Sequence, residues 1–234
     1  MNANGKRGNV RTVLLLITSL VEWIVTGIPG GLGHRIRYLY YSLRLRHIGT
    51  NVTIGVGVRI SNPEFVSIGS NTWIDDYVII LAGPPQSGKR ILRYKPNPAY
   101  SHGEGEVTIG DNCHVALFVV LQGHGGISIG KNCGIASGSL LYSLSHHYRN
   151  PNDPCDRFVY KFTPMVPENE QALITSPVVM EDNTAIGLNS VLLPGAIIRA
   201  RSWIGANSLV EGEIPSNVIA SGVPAKVMRN RITD

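Results

Sequence analysis

The sequence predicts an all-β chain wound as a parallel β-helix, and three observations carry the reading. An aliphatic residue recurs every sixth position, a small residue often follows it four positions later, and glycine often stands directly after it. From Met180 the series runs through Ile186, Leu192, Ile198, Ile204 and Val210. The same spacing gives Ile48, Ile54 and Ile60, then Ile68, Ile74 and Ile80, then Ile109, Val115 and Leu121, then Ile129, Ile135 and Leu141. A helix needs a period of 3.6 and an amphipathic strand a period of 2, so six fits neither. It fits a triangular solenoid in which each six-residue unit supplies one short strand and one corner, and three units close a coil. Inward aliphatic residues then stack at about 4.8 Å, the distance between paired strands. Thr184, Ser190, Ala196, Ser202 and Ser208 keep the narrow interior fillable.

Three parts of the chain depart from the repeat. Residues 1–47 read as a helical N-terminal segment, with Val13, Leu16, Ile17 and Leu20 on one side, a break at Pro29-Gly30-Gly31, and Arg35, Arg37, Arg44 and Arg46 among aromatics after it. Such a segment either caps the end of a solenoid or lies on a membrane surface. The repeat itself occupies 48–214, interrupted by insertions at 83–106 and 147–177, where binding and chemistry tend to sit. Residues 215–234 read as a C-terminal tail with Lys226, Arg229 and Arg231.

Bulk composition narrows the function classes. The net charge is +5, with charged residues only 16% of the chain. That excess suits an anionic ligand or lipid headgroups, and no zinc-finger spacing of a nucleic-acid reader is present. Cys113, Cys133 and Cys155 form no C-x-x-C pair, which points to a reducing cytoplasm rather than a disulfide framework. The apolar run Val13 to Ile28 contains Glu22 and is short of the about 20 residues that span a bilayer.

The stretches Leu140-Leu141-Tyr142-Ser143-Leu144-Ser145-His146, Ser176-Pro177-Val178-Val179 through Leu193-Pro194-Gly195-Ala196, and Ser221-Gly222-Val223-Pro224-Ala225-Lys226 carry a family resemblance. Over roughly 48–229 the chain resembles the hexapeptide-repeat sugar O-acetyltransferases of bacterial surface-polysaccharide synthesis, whose solenoid is left-handed. The resemblance implies a homotrimer with active sites in grooves between neighbouring solenoids, acetyl-CoA as co-substrate without a metal, and a sugar or glycan acceptor. The cysteines and the apolar, basic N-terminal segment point to the cytoplasm, or to the inner face of the membrane with peripheral membrane association.

By position in this resemblance His146 is the general base, since a sugar hydroxyl needs its proton removed as it attacks a thioester. His147 is its competitor. Asp153, Asp156 and Glu168 are candidates for orienting the ring. His124 falls near a corner of the preceding coil and could line the same groove. Gly187, Gly205, Ala206 and Asn207 are candidates for meeting the pantetheine chain through backbone groups, and Lys226 and Arg229 for meeting CoA phosphates.

The pattern departs from the family at Ala185-Ile186-Gly187, where Trp-Ile-Gly is usual, and at Glu211-Gly212-Glu213-Ile214-Pro215, where a lysine is usual. Alternative readings are N-acetylation of an amino sugar nucleotide and a non-catalytic trimeric scaffold. A phosphate-binding loop at Gly83 to Lys89 is excluded because Arg90 stands where Ser or Thr must hold magnesium. A zinc site at His102, His124 and His146 lacks the close ligand pair that β-helix hydratases carry.

Overall fold

The computed structural model describes residues 18–85, 90–93, 100–150 and 153–231. It is a left-handed parallel β-helix with three faces. Face A stacks His47–Ile48, Val66–Ile68, Val107–Ile109, Ile127–Ile129, Val178–Met180, Ile197–Ile198 and Glu213–Ile214. Face B begins at Thr53–Ile54 and ends at Trp203–Ile204 and Val218–Gly222, and face C runs from Arg59–Ser61 to Leu209–Val210. Strands within a face pair in parallel, so residues one coil apart stack in ladders. On face C, Ile60, Ile80, Leu121, Leu141, Leu192 and Val210 are in register and buried.

The corners explain the period. Between faces A and B, Asn51, Asn71, Asn112, Asn132 and Asn183 all take positive φ, which asparagine tolerates better than most residues. Their side-chain amides form a ladder, each donating to the next at 3.0 to 3.3 Å. The small residues that recur four positions after the aliphatic ones are buried, and their hydroxyls satisfy corner carbonyls. Ser190 and Ser208 both donate to the Gly205 carbonyl, at 3.1 and 2.7 Å.

The N-terminal segment is two helices, α1 over 18–27 and α2 over Gly30–Ser42. The turn between them contains Pro29, which would have no N–H for a continuing helix. Val13, Leu16 and Ile17 lie outside the described residues. Arg37 on α2 is fully buried and fastens the pair to the solenoid. Its Nε donates to the Ile54 carbonyl at 2.7 Å and its Nη1 to the Ile28 carbonyl at 2.5 Å. Tyr41 donates from its hydroxyl to the Val58 carbonyl at 3.2 Å, so α2 covers the open end of the first coil.

Two boundaries differ from the sequence reading. The tail does not leave the solenoid at 214, because Val218–Gly222 adds a rung to face B and Ala225–Asn230 folds back on it as an antiparallel strand. The insertions also share structure. Leu144–His146, just before the second insertion, pairs antiparallel with Ala172–Thr175, which pairs in parallel with Arg90–Arg93, so strands from both insertions join it in one three-stranded sheet.

Candidate active site

Both insertions and the loop carrying His124 leave the solenoid at the same corner, between face C and face A, in three successive coils. Leu81, Gln122 and Tyr142 are in register at the ends of the three face C strands, so the loops leaving those ends are stacked at one edge. There the chain encloses a cavity of about 430 Å³ lined by Pro85, Gln122, His124, Tyr142, Leu144, Ser145, His146 and Leu173. His124 and His146, distant in sequence, therefore face one space.

Their environments differ. The Nδ1 of His124 lies 2.8 Å from the carbonyl oxygen of Gly83. A carbonyl only accepts, so Nδ1 carries the hydrogen and Nε2 keeps its lone pair while the ring is neutral. The Nδ1 of His146 is buried and finds no hydrogen-bond partner among the described residues. Asp153, Asp156 and Glu168 do not orient it. Asp153 accepts from the Cys155 backbone N–H at 2.9 Å, and Asp156 accepts from the Tyr160 hydroxyl at 2.9 Å. Glu168 opens the short 3-10 helix Glu168–Glu170. His147 faces a neighbouring cavity with Arg149, Pro194 and Glu211, and burial together with the Arg149 charge holds its imidazole below the usual range.

Gln122 is not singled out by the sequence, where only its place beside Gly123-His124 marks it. It is buried, and its Oε1 accepts the Leu144 backbone N–H at 3.0 Å. With Oε1 engaged, Nε2 is the group the side chain offers to the cavity. Ser143 locks the same turn: its hydroxyl donates to the Gln122 carbonyl at 2.7 Å and accepts the Gly125 N–H at 2.9 Å. Gly125 has to be glycine here, since a Cβ would stand 2.3 Å from the Ser143 carbonyl oxygen.

The remaining candidates sit elsewhere. Gly187, Gly205, Ala206 and Asn207 occupy the corner between faces B and C, across face C from the histidines. The N–H groups of Gly187, Gly205 and Asn207 are spent within the solenoid, on Ile204, Ala220 and Leu188 carbonyls at 2.8 Å each. A Cβ on Gly187 would lie 2.5 Å from the Ala206 nitrogen, so this glycine is also required for coil stacking. Lys226 and Arg229 lie on Ala225–Asn230, the strand folded against the last rung of face B, and both are exposed. A single chain does not bring these groups to the cavity.

Comparison with known proteins agrees with this architecture. The family described as hexapeptide repeat of succinyl-transferase matches residues 106–143 and 177–211. The dTDP-4-amino-4,6-dideoxy-D-glucose acyltransferase of Escherichia coli is 26% identical over 80% of this chain and 82% of its own length. The putative lipopolysaccharide biosynthesis O-acetyl transferase WbbJ of Escherichia coli K12 is 32% identical over 54% of this chain and 62% of its own. The galactoside O-acetyltransferase of the same strain is 30% identical over 70% and 64%. The two O-acetyltransferases are thus matched over slightly less than two thirds of their lengths.

Among solved structures, AntD, an N-acyltransferase from Bacillus cereus in complex with dTDP and 3-hydroxybutyryl-CoA, superposes with a TM-score of 0.64 at 23% identity, over 84% of this chain and 88% of that one. The acetyltransferase VCA0836 of Vibrio cholerae, complexed with acetyl-CoA, gives 0.52 at 21% identity over 90% and 84%. The six-residue repeat and the three-faced solenoid are thus features that this chain shares with the hexapeptide-repeat acyltransferases to which it is similar.

Proposed function

We propose that the protein transfers an acetyl group from acetyl-CoA to a hydroxyl of a sugar destined for a surface polysaccharide. The observation that carries this reading is the convergence of two imidazoles and an anchored amide on one cavity of about 430 Å³. Acetyl-CoA supplies the activated acyl group as a thioester. His146 takes the proton of the acceptor hydroxyl, His124 accepts a hydrogen bond from a second hydroxyl of the same sugar through its unprotonated Nε2, and the Nε2 of Gln122 donates to the oxygen on which negative charge grows. The relatives named for O-acetyl transfer to sugars support the acceptor class.

A homotrimer completes the site. The outer side of face C carries Ile79, Val120, Leu140, Val191 and Leu209 in one register, all partly exposed in the single chain. The corresponding positions of face A are mixed, with Ser67, Thr108 and Ser128 followed by Val179 and Ile197. The longer aliphatic ladder, on face C, is the surface a second copy would cover. Packing there would set the Gly187 and Gly205 corner of one subunit near the histidine corner of the next, which a lone chain cannot do.

A second reading makes His124 the base, favoured by its contact with the Gly83 carbonyl, which fixes the tautomer a base requires. The deciding experiment is thiol release from acetyl-CoA by the wild type and by His146→Ala, against sugars, amino sugars, nucleotide sugars and amino sugar nucleotides. Turnover with a sugar that falls by about 100-fold or more in the variant supports the first reading. Preference for an amino sugar nucleotide would instead identify N-acyl transfer, and no turnover with any acceptor would identify a scaffold.

A further inference from the structure

The face of the N-terminal helices turned away from the solenoid is apolar and uncovered. On α1, Leu20, Val21, Trp23 and Ile24 are exposed, Trp23 by 74%. On α2 and at its C-cap, Leu32, Leu39 and Leu43 are exposed, and with the exposed Arg35 they follow spacings of three, four and four, which place them along one side. The opposite side is fixed to the first coil through Arg37, Tyr38 and Tyr41, so this arrangement is held rigidly rather than being a frayed end. Capping the solenoid and presenting an apolar surface are therefore tasks of opposite sides of the same segment.

We propose that this surface docks the protein on an anionic phospholipid bilayer, lying in the headgroup region without crossing it. Three observations select lipid over a second copy of the chain. First, the acidic groups beside it are neutralised and a cation is left over: Glu22 of α1 is paired with Arg44 at 3.5 Å and Glu106 with Arg46, while Arg35 and His47 are exposed. Secondly, the residues preceding the described part continue the same chemistry, with Val13 to Ile17 apolar, Lys6, Arg7 and Arg11 basic, and no acidic residue before Glu22. Thirdly, the aliphatic ladder of face C already supplies a surface for self-association. Tryptophan with leucine and isoleucine beside arginine is the composition of helices that rest in the interface plane, and no helix among the described residues is long and apolar enough to cross a membrane. The proposal is independent of acyl transfer.

The test is co-sedimentation of the full chain with vesicles of phosphatidylethanolamine and phosphatidylglycerol, and with phosphatidylcholine alone. The triple variant Leu20→Ser, Trp23→Ser, Ile24→Ser changes only exposed side chains, and its helix content and thiol-release rate with a soluble acceptor are expected to equal those of the wild type. Wild-type binding to anionic vesicles, about tenfold or more weaker for the variant and weaker for phosphatidylcholine, is the expected result. Equal binding by wild type and variant, equal binding to both lipids, or no binding at all would overturn it. So would a fall in the variant's oligomeric mass by light scattering, since that would make the occupant a second copy.

Discussion

The imidazole of His124 and the carbonyl of Gly83 are held 2.8 Å apart by two different excursions from the solenoid. Gly83 is itself anchored, its N–H donating to the Gly105 carbonyl at 2.9 Å across the base of the first insertion. If His124 holds the acceptor and His146 removes the proton, His124→Ala raises KM for the sugar by about tenfold, the weight of one hydrogen bond, and leaves the histidine limb of the pH–rate profile in place. His146→Ala removes that limb. The opposite pattern in the two profiles makes His124 the base.

Gln122 is expected to act through its amide hydrogens. In Gln122→Glu the remaining oxygen can still accept the Leu144 N–H, so the turn is kept while the donor is lost and a negative charge is added. A fall in kcat of about 100-fold or more, with an unchanged melting temperature, is expected by steady-state kinetics and thermal denaturation. Activity within a few-fold of wild type would remove Gln122 from the reaction.

Arg37 joins α1, α2 and the first coil at one buried point. Arg37→Ala leaves the carbonyls of Ile28 and Ile54 without their donor and opens a space beneath the cap, costing about 3 kcal/mol in chemical denaturation. Arg37→Lys is not expected to restore stability, since one ammonium cannot reproduce the guanidinium's separated donors. A loss below about 0.5 kcal/mol, the range of ordinary surface substitutions, would mean the cap is not coupled to the solenoid.

The cysteines divide by burial. Cys113 and Cys133 sit inside neighbouring coils, while Cys155 is exposed in the second insertion. The hydrogen bond with Cys133, together with burial, pushes the Cys113 thiol well up. A thiol reagent at neutral pH is expected to modify Cys155 in the native protein and all three cysteines only after denaturation. Rapid modification of more than one native thiol would show that the coils open at the Cys113 and Cys133 rungs.

The solenoid is legible in the residues alone. Each aliphatic residue named from the period of six lines the interior, from Ile48 to Val210, because every coil repeats one local solution of short strand, tight corner and inward side chain. The place of His146 at the mouth of an insertion is legible in the same way, from the point where the period breaks. The meeting of distant segments at one edge of face C is visible only in three dimensions. The pairing of Leu144–His146 with Ala172–Thr175 and of the latter with Arg90–Arg93, the Gly83 carbonyl against His124, and the anchoring of Gln122 by Leu144 all join residues through contacts between coils or insertions. Such contacts have no period to read. The same holds for the separation of Gly187 and Gly205 from the histidines by the width of face C, since residue spacing along the chain does not reveal which corner of a triangle a turn occupies once insertions have shifted the count.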